Sequence, residues 1–308
     1  MLPNAWYVLC YHDVGWSEHP MLRGLGLTHP TDVFGSHVAA VADQAELLGW
    51  REALDAFQAG RLSGPVVTFS FDDGYQGVGR YAAPILSEAG TTGLAAINPP
   101  FTDGETTFWR SQLCWLASNG HVELVAAELG VSPDRVRDQT MDRFDLESVA
   151  RIDEMYRRLS DGHPVVNHNR LYMSWDEIVE LQREGWEIAN HSSDHYPLLE
   201  ASGLDQTAEQ FERAEVRLRE KLGAETTVWV APFDRSGRRA PDAVEWFGSA
   251  AGSRHIVLVG DEANQPSSAT TPEQRSTLTI SRINPPLAGA NSLLESMARA
   301  ALKSKEIA

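Results

Sequence analysis

Thiols are almost missing from this chain. Cys10 and Cys114 are the only two, with no CxxC and no even-spaced framework, which excludes a disulfide scaffold and a thiolate zinc site. Both read as ordinary buried thiols. Basic residues are scarce as well: 26 stand against 43 acidic ones, for a formal charge of -17. That balance opposes phosphate backbones and anionic lipid surfaces, so neither a nucleic-acid nor a membrane partner is expected. No run approaches the ~20 apolar residues of a membrane helix. The opening segment MLPNAWYVLCYHDV lacks the basic region, long apolar stretch and small-residue cleavage site of a secretory leader. If the chain is complete, it is expected in the cytoplasm. There is no internal repeat and no low-complexity tract.

What is present is an ordinary globular composition, 42% hydrophobic and 22% charged over 308 residues, in a regular alternation. WYVLCY (Trp6 to Tyr11) and VVTFSF (Val66 to Phe71) read as strands, the second continuously apolar like one buried on both faces. Phe34, Val38, Val41, Ala45 and Leu48 recur at helical spacing, which predicts a helix ending before Gly49. Tyr75 to Ala89 reads as a helix, TGLAAIN (Thr92 to Asn98) as a strand, and SWDEIVELQREG as a helix with a capping box of Ser174 and Glu177. WEIAN, TVWVAP, HIVLVG and LTISRI follow as strands, with helices at about 205–222 and 290–303. This alternation predicts a parallel sheet, open or closed into a barrel. Residues 106–171 break the rhythm and read as a helical insertion within a single domain spanning 1–308; Gly260 to Thr277 reads as a surface loop.

TFSFDDGYQG sets Asp72 and Asp73 side by side at the C-terminal end of a predicted parallel strand, where α/β folds keep their active sites. Asp-Gly is also common turn chemistry. ANHSSDHYPLL carries His191 and His195 just after another strand, and a helical turn there would let both imidazoles converge on one ion. Two imidazoles and one carboxylate make a three-ligand site with an open position, as in catalytic zinc centres. The second carboxylate could then be a general base, since a nearby cation keeps it ionised.

These segments resemble the polysaccharide deacetylase family, the NodB-like carbohydrate esterases. TFSFDDGY is similar to its first motif and HSSDH to its H-[ST]-x-x-H motif, with matching helix and strand before the latter. The resemblance implies a distorted (β/α) barrel. It also implies Asp72 as general base, and Asp73, His191 and His195 as ligands of a divalent metal ion, taken as zinc. VWVAPFDRSG resembles a variant third motif, in which the backbone N–H of Phe233 would stabilise an oxyanion; Val230 stands where the family has an arginine. LCYHDV resembles the N-terminal segment of the poly-N-acetylglucosamine deacetylase branch, which makes His12 the general acid; by itself His12 reads as a core histidine. ISRIN resembles a late strand of that branch, so Arg282 would orient Asp72.

His255 is expected in the core and His163 and His168 in a solvated loop, while Trp109, Trp115, Trp175, Trp186 and Trp229 could stack on sugars but read mostly as core. The expected activity is a metal-dependent removal of an N-acyl group, foremost acetyl, from a small-molecule or saccharide substrate of amino-sugar type. Two alternatives stand beside it: hydrolysis of another carbon–nitrogen bond, such as a formamide or cyclic amide, and a non-catalytic carbohydrate-binding protein. Retention of Asp72 favours the enzyme, because a binder needs no base.

Overall fold

A computed structural model describes residues 1–136, 146–161, 170–197, 204–235, 243–252, 254–265 and 278–307. Its strands are β1 (Trp6–Tyr11), β2 (Asp13–Gly15), β3 (Thr28–Pro30), β4 (Glu46–Leu47), β5 (Val66–Phe71), β6 (Gly93–Ile97), β7 (Glu187–Asn190), β8 (Val228–Arg235), β9 (His255–Val259) and β10 (Thr279–Arg282). All main pairings are parallel, in the order β1-β5-β6-β7-β8-β9-β10. The ring closes just past β10, where Cys10 N–H donates to the Ile283 carbonyl and Ile283 N–H to the Val8 carbonyl, both at 2.8 Å. β7 and β8 share only the pair Asn190 and Trp229. The result is a nearly closed, distorted (β/α) barrel.

Strand alternation explains where its polar residues go. Trp6, Val8, Val66, Leu94, Ala96, Ala189, Val228, Val230, Val257 and Ile280 form one cluster, and these alternate positions from seven strands can meet only inside the ring. The opposite parity, including Tyr7, Leu9, Val67, Phe69 and Ile97, packs outward against Val38, Val41 and Met297 of the surrounding helices. Continuing the inner parity toward the strand ends reaches Cys10, His12, Ser70, Asp72, Asn98, His191 and Arg282. An apolar floor therefore gives way to a polar mouth at the C-terminal ends of the strands.

Two expectations are corrected locally. The helix carrying Phe34 spans Thr31–Ala42 and stops short of Ala45 and Leu48. The start of β5, which β6 does not reach, captures that stretch: Glu46 N–H donates to the Pro65 carbonyl and Leu48 N–H to that of Val67, forming β4, and a further helix, Trp50–Gln58, follows. The segment 75–89 is not one regular helix, since Val78–Ala82 is a widened π turn ahead of a helix at Ala83–Glu88. Pro84 has no N–H to give to the preceding turn, so the widening has a cause. The expected capping box at Ser174 and Glu177 is present.

Between β6 and β7 lie the helices Pro99–Thr102, Trp109–Ser118, Val122–Leu129 and Leu146–Ser160. They build a second core from Phe101, Trp109, Leu113, Trp115, Ile152 and Met155, which also packs Tyr75 and Tyr172. His163, His168 and the latter part of the Gly260 to Thr277 segment fall outside the described residues. Among the described residues no helix is long and apolar enough to cross a membrane.

Candidate active site

The inner parity of β5 aims Asp72 into the mouth. Asp73 would point away if the strand continued, but its φ of 68° turns it back. Among the described residues five non-glycines have positive φ, and four of them, Asp73, Ser192, His195 and Phe233, stand at this mouth. Such conformations cost about 1–3 kcal/mol each and cluster where geometry serves function.

Asp73 Oδ1 lies 3.4 Å from His191 Nε2 and 2.9 Å from His195 Nε2. One donor atom from each of the three side chains falls within 4.8 Å of the others. The imidazoles converge without the expected helical turn, since residues 191–195 form an irregular loop in which Ser192 and His195 take left-handed φ values of 68° and 55°. His191 Nδ1 is 3.0 Å from the Val230 carbonyl. A carbonyl only accepts, so Nδ1 carries the hydrogen, and in the neutral ring Nε2 is the nitrogen left with a lone pair facing Asp73. Asp73 Oδ1 and His191 Nε2 are buried and neither completes a hydrogen bond within the protein. One carboxylate oxygen and two imidazole nitrogens, buried and convergent, fit a divalent cation.

Asp72 is gripped by Arg282, whose Nη1 donates to Oδ1 at 2.5 Å and Nη2 to Oδ2 at 2.8 Å. Burial alone would push this carboxyl up; the Arg282 guanidinium, with His191 beside it, outweighs that and holds Asp72 at about 2. Asp72 also receives the Cys10 thiol at 3.5 Å and stands 3.8 Å from His191 Nε2. His12 brings a ring nitrogen within 4.8 Å of Cys10 Sγ and an Asp72 oxygen. Burial lowers its pKa, with Asp73 and Asp72 opposing, so His12 rests neutral near pH 7.

Phe233, left-handed at φ 51°, sets its ring 4.7 Å from that of His195 and 5.7 Å from that of Phe108. The Arg110 guanidinium lies 4.2 Å from the centroid of the Phe233 ring. All seven candidate residues from the sequence, Asp72, Asp73, His191, His195, His12, Arg282 and Phe233, thus gather at one mouth. His255 is half-buried and its Nδ1 accepts from Leu278 N–H, a structural bond. Trp109, Trp115, Trp186 and Trp229 are buried. Cys10, read from sequence as an ordinary buried thiol, lies against Asp72. The signal for it was the parity of Trp6, Val8, Cys10 and His12 along one strand.

Residues 144–251 match the family model described as polysaccharide deacetylase; that segment includes His191, His195 and Phe233 and excludes Asp72 and Asp73. No curated protein matches the sequence. The chain is similar in fold to the Streptococcus pyogenes deacetylase PplD in complex with acetate, at 15% identity and TM-score 0.59, covering 96% of this chain and 99% of that one. IcaB from Ammonifex degensii is 18% identical with TM-score 0.58, over 97% of this chain and 98% of its own. A de-N-acetylase from Aggregatibacter actinomycetemcomitans is 14% identical with TM-score 0.58, over 96% and 100%.

Proposed function

We propose that this chain is a hydrolase of the polysaccharide deacetylase family acting on carbon–nitrogen bonds, a reading supported by the match over residues 144–251 and the shared fold, and that it removes an N-acetyl group from an amino-sugar-like substrate. The observation that carries the reading is the convergence of Asp73, His191 and His195 beside an Asp72 that is separately gripped by Arg282.

In this reading Asp73, His191 and His195 would hold a divalent cation, zinc by the donor set, which when bound lowers the pKa of water toward about 7 and polarises a carbonyl. Asp72 accepts a proton from the water that attacks the amide carbon. Arg282 keeps that carboxylate ionised and oriented, so the acceptor is ready at neutral pH. The Phe233 N–H donates to the carbonyl oxygen as it gains charge. His12, neutral at rest and close to Asp72, has room for the proton that Asp72 collects and delivers it to the departing nitrogen. The carbon–nitrogen bond breaks, leaving acetate and a free amine. The whole chain acts as one catalytic domain in the cytoplasm, and Phe108 and Trp109, packed on His195 and Phe233, narrow the approach to the mouth.

The test is acetate release from N-acetylated amino sugars, as monomers and oligomers, by zinc-loaded protein, with N-formylated sugars run in parallel. Asp72→Asn is expected to abolish turnover while one zinc per chain stays bound. Turnover by that variant would refute the assigned base, and release only from the formyl series would redirect the substrate class.

A further inference from the structure

We propose that Asn98 is a positioning residue that fixes the His191 and His195 pair for cation binding, an inference that rests on the reading of this site as a cation site. Asn98 is fully buried at the end of β6. Its Nδ2 donates to the His191 carbonyl at 2.5 Å and to the Ser192 carbonyl at 2.9 Å. Carbonyls only accept, so the amide orientation is fixed and both of its hydrogens are used. In an extended strand successive carbonyls point opposite ways. The left-handed φ of Ser192 brings these two to one side.

Asn98 has no competing work. It is the N-cap of Pro99–Thr102, a position where asparagine ordinarily accepts from the second or third helical N–H. Here the first two helical residues are Pro99 and Pro100, which have no N–H, and Phe101 N–H donates to the Asn98 backbone carbonyl at 3.0 Å. The side chain makes no cap bond and turns to the histidine loop instead. His191 N–H donates to the Ile97 carbonyl at 3.0 Å, the last backbone bond from β6 to this segment. Asn98 thereby extends the β6–β7 ladder one step beyond the point where backbone pairing stops.

The rest of the loop hangs from that step. Asn190 Oδ1 accepts from Ser192 N–H at 2.9 Å, and Ser192 Oγ accepts from His195 N–H at 3.0 Å. Loss of the Asn98 donors leaves two buried carbonyls unpaired and frees the peptide that joins the two imidazoles. The effect should therefore appear in cation affinity.

The experiment titrates zinc alone, without sugar, into metal-free protein against a chromophoric chelator. Asn98→Ala should weaken zinc binding at least about tenfold, the scale seen when outer-shell partners of metal ligands are removed. Asn98→Ser, which keeps one donor, should lose less and serves if the alanine variant does not fold. Turnover at saturating zinc should return toward wild type with KM unchanged. Zinc affinity within twofold of wild type, with only the melting temperature of metal-free protein lowered, would overturn the proposal and leave Asn98 a structural residue. Failure of the wild type to take up one zinc per chain would instead refute the cation reading of the site.

Discussion

Arg282 is a fully buried guanidinium, a state that is stable only beside an anion with matching geometry. Its two bonds to Asp72 supply that match. The pair also determines the charge of the proposed base. Asp72 titrates at about 2 in the fold against an ordinary 3.8, so its contribution to stability is present above pH 3.8 and is lost as pH falls through 2. Replacing Arg282 by Met leaves burial, the largest influence on this carboxyl, opposed by the weaker partners alone. The variant is expected to lose about 3–5 kcal/mol in denaturant melts of metal-free protein, the usual result of orphaning a buried charge. The acid limb of the activity profile should also move up in pH. Arg282→Lys retains the charge without the two-pronged fit and should fall between the two. An unmoved acid limb in both variants would break the link between Arg282 and the proton acceptor.

At the scale of elements, the segment after β5 shows how close packing brings His12 to the aspartates. Gly77 has ordinary right-handed angles, φ -60° and ψ -22°, so no backbone strain demands glycine there. Space does: a Cβ would lie 2.1 Å from the Val14 carbonyl oxygen and 2.2 Å from Asp13 Oδ1. Gly77→Ala must push β2 away, and His12 sits between β1 and β2. A stability loss of about 1–3 kcal/mol is expected from the overpacking, with kcat falling while zinc affinity holds, read by melting, steady-state rates and zinc titration. Equal melting temperatures and rates would mean that β2 yields freely. The sequence reading foresaw the strands and the histidine and aspartate motifs because apolar alternation and strand-end placement are local signals. It missed β2, β3 and β4, which exist through pairing with distant neighbours. It overran the Thr31–Ala42 helix because helical spacing continued in residues that the start of β5 recruits. It expected a helical turn between His191 and His195, since a spacing of four cannot distinguish a helix from a left-handed loop. Asn98 was illegible as a site residue because its partner is 93 positions away, whereas strand parity did point Cys10 at the mouth and only its bond to Asp72, 62 positions away, was hidden.

For the whole molecule, buried titrating groups of opposite sign flank the barrel mouth and act against each other in acid. His29 is pushed down to about 4, first by burial and then by neighbouring His37. Its folded pKa lies below the ordinary 6.5, so the fold prefers the neutral ring. That contribution is full above pH 6.5 and is lost as pH falls through 4. Asp13 is pushed up to about 6 by burial, although the Thr28 hydroxyl and the Val14 and Gly77 N–H groups partly offset it. Its contribution is full below pH 3.8 and is lost as pH rises through 6. Near pH 5 the unfolded chain binds about one more proton at His29 and about one fewer at Asp13, so these two slopes nearly cancel. Asp13→Asn removes one slope and keeps the other. The amide can still meet Thr28 Oγ1, 2.9 Å from Asp13 Oδ2 in the wild type, with the hydroxyl turned to accept. Between pH 4.5 and 6 the stability of Asp13→Asn should therefore climb with pH more steeply than that of the wild type, by up to about 1.4 kcal/mol per pH unit. Urea melts across that range measure the difference. Parallel curves for the two proteins would show that Asp13 titrates in the fold as it does in the unfolded chain, and would remove the balance argued from its burial.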